Sequence, residues 1–101
     1  MEKRMCIYVS SPKSYKDVFD AFYICKNRFW PDSRYRFVLS TNYEANYKGV
    51  DIIDSHNTSD TWVERSMYAL SEINEKYIML LCDDLLISKK IDSRYIDDIL
   101  N

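Results

Sequence analysis

The sequence predicts an α/β domain built on a parallel or mixed sheet with flanking helices. Short apolar runs without helical periodicity occur at residues 5–10, 35–40, 49–54 and 77–82. Two stretches of 3.6-residue periodicity separate them, and polar residues gather where the runs end, which is the pattern of strands alternating with helices. A chain of 101 residues suits one domain, residues 1–101, that buries about 60–68% of its unfolded surface. Hydrophobic residues at 47% and aromatics at 15% place it among folded rather than disordered chains. The net charge of -2, with both signs interspersed, excludes the electrostatic footprint of a nucleic-acid binder, and no basic helix suggests a membrane surface.

The first strand, 5–10, passes into Ser11-Pro12-Lys13-Ser14 without a glycine-rich phosphate loop. Ser14 and Asp17 resemble a capping box, and Tyr15, Val18, Phe19, Phe22, Cys25 and Phe29 keep helical spacing over about 15–29. Pro31 ends that helix, with Asp32 and Ser33 forming a turn. The second strand, 35–40, runs into Ser40-Thr41-Asn42, and strand, helix and strand in this order favour a right-handed crossover between parallel neighbours. The connection 43–48 is too short for a crossover helix, so the direction of the third strand, 49–54, stays open.

Residues 55–60 form the most polar segment and read as a loop. Thr61 and Glu64 make a second capping box for a helix over about 61–75, whose apolar face is Trp62, Val63, Ser66, Met67, Ala69, Leu70 and Ile73. The fourth strand, 77–82, is an unbroken apolar run of the kind covered on both faces, and it emerges at Asp83-Asp84. A short final helix begins at Asp92 or Ser93 and carries Tyr95, Ile96, Ile99 and Leu100 on an apolar side that packs on the sheet or awaits another element, with Asp97 and Asp98 on a solvated face. Cys6, Cys25 and Cys82 are odd in number, distant and set in apolar segments, so they read as buried thiols rather than disulfides or zinc ligands. The N-terminal apolar run is too short for a signal peptide or a membrane span, and a cytoplasmic location is expected.

Asp83-Asp84 is the pair on which chemistry converges. Open α/β sheets bind ligands at the carboxyl ends of their strands. Adjacent carboxylates there need solvent, a basic group or a hard cation such as Mg²⁺ or Mn²⁺ to offset their repulsion. A solvated acidic turn is the plainer reading of the same residues. Arg65 is a charge partner for the pair or for a diphosphate, or else it forms a surface ion pair with Glu64 or Glu72. Trp62 is placed to stack on a ring or, as expected for the first turn of an amphipathic helix, to seal the core. Tyr43 and Tyr47 offer the same two choices, whereas His56 reads as a solvated loop residue.

Taken together, 62–70 (Trp-Val-Glu-Arg-Ser-Met-Tyr-Ala-Leu) and 77–87 (Tyr-Ile-Met-Leu-Leu-Cys-Asp-Asp-Leu-Leu-Ile) resemble the N-terminal, nucleotide-sugar-binding half of GT-A glycosyltransferases, especially bacterial enzymes of polysaccharide biosynthesis. The resemblance implies a Rossmann-like sheet and a nucleotide diphosphate sugar as partner. It implies a divalent cation, Mn²⁺ or Mg²⁺, at Asp84, with Asp83 sharing the cation or contacting sugar or ribose hydroxyls. Ser10, Ser11, Ser40, Thr41 and Asn42 match the places where the family holds base and ribose, and Arg65 is assigned to the substrate with them. The family motif is Asp-any-Asp, whereas Cys82-Asp83-Asp84 lacks the first acid. The family's acceptor-binding half is not among these 101 residues, so the chain reads as a partial glycosyltransferase, and the uncovered surface this leaves implies a possible homo-oligomer. A metal- or nucleotide-binding module without turnover, and a small α/β interaction module, are the alternatives. A phospho-acceptor receiver is disfavoured because Ser10-Ser11-Pro12 carries no acids.

Overall fold

The computed structural model describes residues 2–31, 34–57 and 59–101, without the side chains of residues 2 and 3. The turn expected at Asp32 and Ser33, and Thr58 in the polar loop, lie outside the described residues. Four strands, β1 (Glu2–Ser10), β2 (Tyr35–Thr41), β3 (Val50–Asp54) and β4 (Tyr77–Leu80), form one sheet in the order β3-β2-β1-β4. All three pairings are parallel, which settles the direction of β3. The helices are α1 (Lys16–Phe29), α2 (Trp62–Glu72) and α3 (Ser93–Leu100). This is a small α/β domain of generic Rossmann-like topology.

The alternation of side chains along β1 and β2 divides the core in two. Ile7 and Val9 stand opposite Phe37 and Leu39, and with Met5 they meet Phe19 and Phe22 of α1, Trp30 and Ile96 of α3. On the other face Cys6, Tyr8 and Val38 meet Ala69 of α2. The two crossovers run in opposite directions along the sheet, so a common handedness requires α1 and α2 on opposite faces. The α1 face holds the aromatic core: Trp30 meets Phe37 edge-on at 5.3 Å and Phe19 meets Tyr47 at 4.9 Å between ring centroids. The Trp30 indole N–H donates to Ser93 Oγ at 3.0 Å, so its polar edge is satisfied as it is buried.

At the amino ends of the strands, Arg36 donates from Nε and one terminal nitrogen to the Glu75 carboxylate at 2.8 and 2.9 Å, and it also pairs with Asp51. These bonds tie β2 to β3 and to the α2–β4 connection. Gly49, just before β3, has a φ of +82°, which L-residues with side chains rarely adopt.

Several expectations are corrected. A 3-10 turn, Lys13–Tyr15, precedes α1, so Ser14 is not its cap, and Tyr15 at that position makes no side-chain capping bond. Helix α2 ends at Glu72 rather than 75. Strand β4, an edge strand beyond β1, is not covered on both faces: Ile78 is 38% and Leu80 53% exposed, because α2 lies over β1 and β2. Only Cys6 of the three thiols is buried, and Cys82 is exposed beyond the end of β4. Burial, reinforced by Glu75 and partly opposed by Arg36, raises the Cys6 thiol to about 11 and keeps it protonated and inert at neutral pH. Asp97 is not on a solvated face: it accepts from the Tyr35 hydroxyl and pairs with Arg34. Of the two readings open for Tyr47, the core one holds, with its ring packed against the α1-face core and its hydroxyl bonded to Asp20.

Leu39 is fully buried in β2, an interior strand with a partner on each side. Leu39→Ala is expected to cost about 2–5 kcal/mol, read as a lower urea midpoint at unchanged m-value.

Candidate functional site

An open cleft of about 610 Å³ lies at the carboxyl ends of the strands. Its walls come from the ends of β1 and β4, the first turn of α2 and the loops that follow the four strands. The loops are fixed before any side chain is considered, since Ser11 N–H donates to the Ser40 carbonyl and Ser55 N–H to the Thr41 carbonyl, each at 2.9 Å. These bonds continue the sheet pattern one residue past the strands. They leave the following side chains at the rim.

The Thr61 cap expected for α2 forms, but the box is not closed: the Glu64 carboxylate accepts from the Thr61 hydroxyl at 3.3 Å and not from its amide. The Glu64 amide donates to Thr61 Oγ1 at 3.2 Å, which starts the helix with Arg65 in its first turn. Arg65 turns inward, only 4% exposed, and donates from Nε to Ser10 Oγ at 3.1 Å and from a terminal nitrogen to Asp60 at 2.8 Å. Its partner is therefore Asp60 on the β3–α2 loop and neither Glu64 nor Glu72. The Asp60 side chain is 2% exposed and also accepts from Asn42 Nδ2 at 3.1 Å and Ser55 Oγ at 2.6 Å. Burial pushes the Asp60 carboxyl upward, but the bonds from Ser55, Arg65 and Asn42 outweigh it and hold the group below the usual carboxylate range. Asn42 completes the set by accepting the Lys13 amide at 2.8 Å.

Asp83 is buried at the opposite wall and accepts from Ser11 Oγ at 2.6 Å, whereas Asp84 beside it is exposed. Arg65 and Asp60 cancel, so the uncompensated charge of the cleft lining is that of Asp83 and Asp84. Tyr15 and Trp62, both more than half exposed, stand at the rim, and Leu80 and Leu81 supply an apolar floor. Trp62 thus does not seal the core: Arg65, Ser66 and Ala69 occupy the buried side of α2.

Of the residues singled out in the sequence, Ser10, Asn42, Arg65, Asp83 and Asp84 line the cleft. Ser11 lies behind Asp83 and orients it. Ser40 is buried beneath α2, where its hydroxyl donates to the Arg65 carbonyl at 3.3 Å. Thr41 is fully buried, its Oγ1 has no hydrogen-bond partner among the described residues, and it does not line the cleft. The strand period explains this placement, because Ser40 and Thr41 point to opposite faces of β2. Asp60 was missed in the sequence reading. Its signal was its place just before a capping threonine and five residues before Arg65. His56 is exposed, in the left-handed region at φ 57°, with its amide donating to Asp54.

No group of three His, Cys, Asp or Glu side chains converges among the described residues. Two carboxylates alone make no protein cage for a hard cation. They suit Mg²⁺ or Mn²⁺ in the mode where one or two carboxylates hold the ion and substrate phosphates and waters complete the octahedron.

Asp60→Ala should destabilise the fold by about 3–5 kcal/mol, because it strands a buried guanidinium. The Asp60→Ala/Arg65→Met pair should cost less than the two single changes added together, as urea unfolding would show. The sign with pH follows from the depressed folded-state value. Asp60 contributes fully above its unfolded value of about 3.9 and loses that contribution as pH falls through the lower folded value. Melting temperature measured from pH 6 to pH 2 should fall less steeply in Asp60→Asn than in the wild type.

Comparison of the chain with family models, curated proteins and solved structures returns no match, so any functional reading of the cleft rests on its own residues.

Proposed function

We propose that the cleft binds a nucleotide diphosphate sugar and that the chain is the donor-binding half of a cytoplasmic GT-A-like glycosyltransferase of bacterial surface polysaccharide synthesis. The observation that carries this reading is the joint presence of a buried, oriented Arg65 and the Asp83-Asp84 pair at the carboxyl ends of parallel strands. A bound Mg²⁺ or Mn²⁺ would neutralise diphosphate charge against the two carboxylates. Asp84, the exposed member, would meet the ion, with Asp83 held by Ser11 to share it or to accept from a sugar hydroxyl. Arg65 would face the diphosphate with the donor hydrogens left by Ser10 and Asp60. Ser10 and Asn42 would contact base or ribose, and the exposed rings of Tyr15 and Trp62 provide flat apolar surface at the same rim.

No described helix is long and apolar enough to cross a membrane. A small interaction module is the second reading, favoured by the exposed apolar side chains of α2 and β4.

Calorimetric titration with UDP, GDP, CDP and dTDP, each with and without Mn²⁺, tests the proposal. One nucleotide should give heat that depends on Mn²⁺, and Asp84→Ala should weaken it by about tenfold or more, roughly 1.4 kcal/mol. Identical titrations for wild type and Asp84→Ala, or no heat with any nucleotide, would remove the site assignment and leave the interaction reading.

A further inference from the structure

We infer that two copies of this chain associate through antiparallel pairing of β4 across a twofold axis at Met79, joining their sheets and bringing Lys76 of each copy beside the acidic rim of the other's cleft. The two edges of the sheet are not alike. Strand β3 carries Asp51 and Asp54, charges that discourage further pairing. Strand β4 carries none: Tyr77, Ile78, Met79 and Leu80 include no charge and no proline, and three of the four are exposed.

The backbone fixes the register. Leu81 donates its amide to the Tyr8 carbonyl at 2.9 Å, so in a parallel ladder Met79 and Tyr77 also direct their peptide groups toward β1. Ile78 and Leu80 therefore direct theirs outward. A twofold at Met79 sets Ile78 opposite the partner's Leu80, and each such pair exchanges two hydrogen bonds. A twofold perpendicular to the sheet keeps corresponding faces together, so Ile78 and Leu80 of both copies form one apolar patch.

Side chains and charge agree with this arrangement. Cys6 and Tyr8 face α2, and their register partners Ile78 and Leu80 share that face. On α2, Ser66 meets Tyr8 of β1 while the Arg65 carbonyl meets Ser40 of β2. At 100° per residue, Val63, Met67 and Leu70 then lie on the flank turned toward β4, and all three are exposed. They wall the patch on each side. The same register places Lys76 opposite the partner's Cys82, next to Asp83 and Asp84. The cation at one end of β4 thus meets the anions at the other.

Analytical ultracentrifugation of the full chain over a concentration series, with hydrogen exchange on the same samples, tests the inference. The wild type should dimerise, and the Ile78 and Leu80 amides should become protected as concentration rises. Leu80→Pro should give a folded monomer, since it deletes an outward N–H that β1 does not use. At low salt, Lys76→Glu should raise the dissociation constant severalfold, and Lys76→Glu with Asp84→Lys should restore it. A wild type that stays monomeric with both amides exchanging freely would overturn the inference. So would a dimer that Leu80→Pro leaves intact in its folded state.

Discussion

Charge buried at the carboxyl end of the sheet constrains everything around it. A guanidinium 4% exposed is tolerable only with a fixed counter-ion and satisfied donors, and Asp60 and Ser10 provide these. Asp60 is in turn held by Ser55 and Asn42, and Asn42 by the Lys13 amide. One ion pair therefore ties the ends of β1, β2 and β3 to the first turn of α2. The same bonds fix the position of the Arg65 guanidinium in the cleft lining.

The two faces of the sheet are unequal, and the inequality separates stability from interaction. The α1 face concentrates the aromatic side chains with α3 closed over them, which secures the central strands. The α2 face relies on small contacts, Ala69 against Cys6, Tyr8 and Val38, with the Tyr8 hydroxyl donating to Ser66 Oγ at 3.1 Å. Small residues draw α2 close to β1 and β2. They also leave its larger apolar side chains on a flank with no partner among the described residues.

Much of the framework was legible in the chain. Helical spacing of Phe19 and Phe22, the Thr61–Glu64 cap and the strand runs are local signals, and each appears close to where the spacing put it. The acidic pair at the mouth of the fourth strand was readable for the same reason, since position at a strand end is a local property. Trp62 and β4 were misread because burial depends on which neighbours arrive. An apolar first-turn residue looks the same whether it faces the sheet or its rim, and an unbroken apolar run does not reveal whether a second strand lies beyond it.

The sequence alone determined the order of elements, the α/β class and the residues able to carry charge at the strand ends, because periodicity and capping act over a few residues. Only the tertiary structure decided that Arg65 pairs with Asp60 and that Thr41 turns away from the cleft while Asn42 enters it. It likewise decided that β4 is an edge. These depend on strand order and on the face each side chain takes once parallel pairing fixes the register. Register is set by contacts between segments far apart in the chain, and no local pattern encodes it.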